Sequence, residues 1–153
     1  MLSFLSVVGS AAAGHSYSAG GVPLMLRAIG AVLAAVVLWL IVATVIHRLM
    51  CVVWPAYAVA TPLLAFTLSM KLARLSLSTF CTLLAGFAAN RISNARGIAV
   101  AVGCVLVLLF LPEHYRIWDR FPVWYHLTFL SSLIPLSVIG ARLSSSRRQP
   151  PSE

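Results

Sequence analysis

The chain has 153 residues, 61% of them apolar and only 9% charged, with a formal net charge of +8. About a quarter of the residues in a soluble domain are charged; so few charges cannot cover a water-facing surface, and lipid is the expected solvent. The basic residues stand at the edges of apolar runs (Arg27, Arg48, Lys71, Arg74, Arg91, Arg96, Arg142, Arg147 and Arg148), which is the pattern of interfacial anchors and excludes the basic groove of a nucleic-acid-binding protein.

Residues 1–24 hold a short apolar stretch, Leu2–Val8, then a Ser-, Gly- and Ala-rich stretch to Gly21, with no Lys or Arg before Arg27. A signal peptide needs a basic start, so the expectation is a flexible N-terminal segment, with Met25 as an alternative natural start. The first helix is expected over about 28–46, an unbroken apolar run bounded by Arg27 and by His47-Arg48. At 1.5 Å per residue it spans roughly 28 Å, close to a bilayer core of about 30 Å.

Cys51–Ala60 is apolar but interrupted by Trp54, Pro55 and Tyr57, and it reads as an interfacial or re-entrant segment, with a fifth span as the alternative. Thr61-Pro62 has the form of an N-cap followed by a first-turn proline, so the second helix is expected over 62–91. Along it Thr67, Lys71, Arg74, Ser78, Thr82, Ala85 and Ala89 recur at steps of three and four residues and share one face. In a membrane such a polar, small-residue stripe faces neighbouring helices. The third helix is expected over about 97–111, ending at Pro112, with Ala99 and Gly103 as a small-xxx-small contact. The fourth is expected over about 121–142 with Pro135 inside it, and 144–153 as a disordered cytoplasmic tail. The fold class is therefore all-α, an integral membrane bundle of four helices, five being the alternative. Arg91, Arg96, Arg142, Arg147 and Arg148 put the C-terminus in the cytoplasm.

Cys51, Cys81 and Cys104 are odd in number and lack CxxC spacing, so neither a disulfide framework nor a metal site is implied. The segment from Leu111 to His126 holds Glu113, His114, Tyr115, Trp118, Asp119, Trp124, Tyr125 and His126. It reads as an aromatic belt with a charge-balanced loop, or as a polar site at the outer face. The His and acidic spacings match no compact metal motif, and no nucleophile–base pattern accompanies the serines. No cofactor and no enzymatic activity are expected. The candidate residues are an outer-face polar cluster of Lys71, Arg74, Glu113, Asp119 and His126. Arg74 is the most informative, a cation roughly 24 Å along the helix from Asn90, expected to pair with Asp119 or Glu113 or to snorkel as an anchor, with an ion or substrate contact as the alternative.

The run Pro122–Leu130, followed by Pro135 and Gly140–Leu143, resembles the last helix of small polytopic bacterial inner-membrane proteins of uncharacterised activity. Leu84–Ile92 resembles the end of their second helix. The resemblance covers roughly the C-terminal half and is compositional. It implies a bacterial plasma membrane and about four helices, and transfers no functional residue. The expected role is a structural or accessory membrane subunit, with the lipid bilayer and other membrane proteins or further copies of itself as partners, and no nucleic acid. The alternative is a small transporter or permeation protein using the polar stripe. That alternative needs a polar cavity beside irregular backbone; a scaffold packs its small residues and leaves none.

Overall fold

A computed structural model describes residues 21–95 and 97–146, and every one of its regular elements is helical. Among these residues, four helices are long and apolar enough to cross a membrane. They are α1 (Gly21–Val53), α3 (Leu68–Ile92), α4 (Ile98–Arg116) and α5 (Val123–Ser146); between α1 and α3 lies a short helix, α2 (Pro55–Leu63). A single 3-10 turn, Trp118–Arg120, joins α4 to α5. The four-helix expectation holds. At nine residues α2 is too short to be a fifth span, since it rises only about 14 Å.

Several boundaries differ from the sequence expectation. Helix α1 already includes Gly21–Leu24, where flexible chain was expected, because Pro23 in a first turn removes only a donor that would have had no partner. The rest of the expected flexible segment, 1–20, lies outside the described residues. At its other end α1 runs on through His47-Arg48 to Val53. It stops at Trp54 (φ −125, ψ 87), since the residue before a proline is pushed out of the helical region. Thr61-Pro62 is not a helix start. It lies inside α2, with Thr61 Oγ1 donating to the Tyr57 carbonyl at 2.8 Å. The chain then reverses through Leu64, whose left-handed φ of 54 ends α2. The cap of α3 is Thr67, whose hydroxyl accepts from the Met70 N–H at 3.4 Å.

Pro112 does not end α4. The ring costs one bond near the end of the helix, and the last turn is held by the Ile117 N–H to the Glu113 carbonyl (3.2 Å). The 19 residues rise about 28 Å, so α4 can span without local thinning. Helix α5 begins at Val123 because Phe121, preceding Pro122, is extended (φ −128, ψ 150). It extends to Ser146, so the expected tail is helical over 144–146, and 147–153 lie outside the described residues.

Helix α3 is the hub of the bundle, and its most extensive partner is α5. Ser78, Thr82, Ala85 and Ala89, the middle and end of the polar stripe, are buried, while Leu68, Leu72 and Phe80 are exposed. Glycine lets α3 and α5 touch backbone to backbone. A Cβ on Gly86 would fall on the Ser137 carbonyl, and one on Gly140 on the Leu83 carbonyl. The Ala99–Gly103 contact is also present: Ser137 Oγ donates to the Ala99 carbonyl at 2.8 Å, and a Gly103 Cβ would lie 2.7 Å from the Ile134 Cα. One apolar core (Ala31, Ala35, Trp39, Ala85, Val102, Leu133) fills most of the bundle. A second, built on Tyr57, Phe66, Met70, Phe121 and Tyr125, fills the end where α2 sits.

Candidate functional site

The site grows from the break between α1 and α3. Pro55 and the Leu64 reversal fold α2 over the end of the bundle, and this places Tyr57, fully buried, against the first turns of α3. Arg74 stands about 9 Å along α3 from Leu68. Its Nη1 donates to the Tyr57 hydroxyl (3.1 Å), its Nε donates to the Tyr125 hydroxyl of α5 (3.4 Å), and its guanidinium lies over the Phe66 ring at 4.9 Å. The Tyr57 hydroxyl is also 3.2 Å from His47 Nδ1 on α1, and His47 Nε2 is 3.9 Å from Cys51 Sγ. A neutral imidazole with its proton on Nε2 satisfies this chain: Tyr57 O–H donates to Nδ1 and Nε2–H to the sulfur.

These groups line a cavity of about 670 Å³ whose walls come from α1, α2, α3, α4 and α5. Among the further polar groups that line it are Ser78 of α3 and His114 of α4. Both are buried, and Ser78 Oγ and His114 Nε2 have no hydrogen-bond partner among the described residues. His114 Nδ1 is matched with the Phe110 carbonyl at 3.0 Å. The rest of the wall is mostly apolar, including Leu40, Leu77, Phe110 and Phe129, with Thr44, Arg48, Thr61 and Glu113 as its other polar or charged members.

The electrostatics differ from the sequence expectation. Arg74 pairs with neither acid: Glu113 is exposed and takes Arg116 at 3.1 Å, one turn along its own helix. Asp119 sits exposed in the 3-10 turn. The short-range i,i+3 pairing wins for Glu113 because its partner is already on the same helix face, whereas Arg74 reaches two phenol oxygens without crossing the cavity. The guanidinium thus keeps its positive charge among neutral acceptors. It has five N–H donors and uses two of them on the tyrosines.

Of the five residues singled out in the sequence, Arg74 and Glu113 line the cavity. Lys71 packs with its Nζ 5.8 Å from the centre of the Phe121 ring, and Asp119 is not part of the lining. His126 lies behind the site, fully buried, stacked on Trp118 at 4.7 Å and edge-on to His114 at 5.3 Å, with neither ring nitrogen bonded. Sequence reasoning missed Tyr57, Tyr125, His47, His114 and Ser78 as members of one site. Tyr57 and Tyr125 read as belt aromatics, and only the polar stripe pointed to Ser78. Among the described residues, no group of three or more His, Cys, Asp or Glu stands ready to hold a metal. No protein-family model, no curated protein and no solved structure matches the chain.

What the arrangement offers chemically is a fixed cation, two tyrosine hydroxyls and the unmatched Ser78 hydroxyl inside a largely apolar chamber, with His114 Nε2 left as an acceptor because Nδ1 donates to the Phe110 carbonyl. That combination is complementary to an anion with an apolar body.

Proposed function

We propose that the chain is a membrane-embedded binding protein of the transporter or permeation class, which receives a monoanionic ligand at Arg74. The observation that carries this reading is the Arg74 guanidinium, which lines a cavity within the apolar helix Leu68–Ile92 and, among the described residues, is hydrogen-bonded only to the Tyr57 and Tyr125 hydroxyls. A cation in a low-dielectric chamber is costly without a counter-charge, and a ligand anion supplies one. The irregular backbone at Trp54 and at Leu64–Thr67 lines the same region, as a transport site at a helix break requires. The proposed activity is binding and passage; no bond is made or broken.

The structural or accessory role has its own support in the Gly86–Ser137 and Gly140–Leu83 contacts, which make α3 and α5 one rigid pair. A rigid pair is equally what a binding site needs behind it, and the cavity favours the binding reading. For location we propose a bacterial inner membrane, in keeping with the resemblance of the C-terminal half. Arg27, Arg91 and Arg142 share the end of the bundle opposite α2, which favours a cytoplasmic C-terminus.

The test is equilibrium binding of benzoate, a monoanion with an apolar body, to the full chain in zwitterionic nanodiscs, read by isothermal titration calorimetry. Saturable binding weakened about tenfold or more by Arg74→Gln is expected, the loss of one charge-assisted contact. Equal affinity in the variant, or no saturable binding of benzoate, would sink the reading.

A further inference from the structure

The anion site is one of two concavities on the same seam. A second, apolar groove of about 470 Å³ is lined by Ala28, Ile29, Val32 and Leu33 of α1 and by Ile98, Ala101 and Val105 of α4, with Ala95 and Gly97 at its end. On α1 the groove residues Ile29 and Leu33 continue to Leu40, Thr44 and His47 of the Arg74 cavity at helical steps of three, four or seven. On α4 the groove residues Ala101 and Val105 stand one turn apart, and Glu113 of the Arg74 cavity lies about two turns further toward the α2 end. Both concavities therefore lie along the same face of α1, and α4 borders each of them. The Trp39–Phe110 ring contact (4.6 Å) lies between them at the level of the core.

The exposed members of the Arg74 cavity wall mark its mouth: Leu40, Thr44 and Arg48 on α1 and Glu113 on α4. Leu40 stands near the middle of the span Leu24–Val53, so the mouth reaches lipid depth as well as the interface. A ligand that enters there comes sideways from the bilayer. A hydrated ion has no reason to take that route; a lipid does, because its head can swing to the cation while its chains stay in hydrocarbon.

We infer that the occupant of the Arg74 cavity is a bilayer lipid with a monoanionic phosphate head, bound through the α1–α4 mouth with an acyl chain along the apolar groove of the same seam. The inference rests on the anion reading above and names its ligand class. A phosphodiester carries one charge against the one guanidinium, and its free oxygens accept the Arg74 N–H groups left by the tyrosines. Ser78 Oγ, buried and without a partner among the described residues, supplies a further donor inside the chamber.

Native mass spectrometry of the full chain, titrated with phosphatidylglycerol, with phosphatidylcholine of the same chains, and with inorganic phosphate, tests it. Phosphatidylglycerol is expected to be retained over phosphatidylcholine. Retention should fall about tenfold in Arg74→Gln, and should fall also in Tyr57→Phe, which removes only a hydroxyl and guards against misfolding of the first variant. It should be unchanged in Arg120→Gln, a basic residue at the same end but outside the cavity. Ala101→Phe, which fills the groove, should weaken lipid retention and leave benzoate binding unaltered. Equal retention of both lipids, indifference to Arg74→Gln and Tyr57→Phe together, or an equal loss in Arg120→Gln overturns the lipid inference. Arg74-dependent binding of inorganic phosphate or benzoate without phosphatidylglycerol selectivity also overturns it while leaving the anion site standing; Arg74-independence of every probe removes both.

Discussion

Arg74 and Gly86 lie on the same helix and illustrate two opposite uses of a membrane interior. Gly86 carries no side chain so that α5 can approach; its missing Cβ is occupied by the Ser137 backbone. Gly86→Ala should destabilise the bundle by about 1–3 kcal/mol, the usual cost of forcing a methyl into a filled core. Unfolding in mixed detergent measures it, and a neutral effect would mean that α3 and α5 are not held in contact there. Arg74 brings a charge into the membrane and leaves it facing a chamber. The stripe that contains both kinds of position was legible in the sequence from its three- and four-residue steps. The identity of Arg74's partners was not: phenol hydroxyls give no charge signal, and Tyr57 and Tyr125 are 68 positions apart.

At the scale of elements, the prolines decided what the sequence left open. Pro55 and Pro122 end or start helices by restricting the residue before them, and that was readable as a type of signal. Pro62 was read as a helix start and Pro112 as a helix end, and both are instead tolerated inside short or terminal turns, where one lost bond is a small fraction of the total. Two threonines competed for the start of α3. Thr61 is followed by proline and had the better local signature, yet its hydroxyl serves the Tyr57 carbonyl, while Thr67 caps Met70. The consequence is α2, which carries Tyr57 to Arg74 and fastens itself to α3. A double-mutant cycle of Arg74→Ala with Tyr57→Phe should therefore show coupling of about 0.6–1.7 kcal/mol, the range seen for polar contacts between membrane helices. The cycle of Arg74→Ala with Asp119→Ala should be additive within about 0.5 kcal/mol. The reverse pattern would restore the helix-to-loop ion pair that the sequence suggested and would detach α2 from the site.

On the scale of the whole molecule, four spans were legible because length and hydropathy alone decide what crosses a bilayer. A cavity shared by five helices was not, because it depends on which faces meet and no periodicity states that. At the end opposite α2 the contacts are tight: Arg27 Nε donates to the Ile92 carbonyl (2.8 Å), and Asn90 Nδ2 donates to the Ala141 carbonyl (3.2 Å) and to Ser145 Oγ (3.1 Å). At the α2 end the chamber separates α1 from α4. The bundle is thus cross-linked by hydrogen bonds at one end and hollow at the other, with the half-buried Arg74 guanidinium in the hollow. The central claim is that this guanidinium is the seat of an anion. Anomalous diffraction from crystals of the full chain grown with 4-iodobenzoate addresses it most directly. The account predicts an iodine peak inside the cavity walled by Leu40, Leu77 and Phe129, with the carboxylate on Arg74. A peak elsewhere, or none in the cavity at saturating ligand with Arg74 still bonded only to Tyr57 and Tyr125, would contradict it.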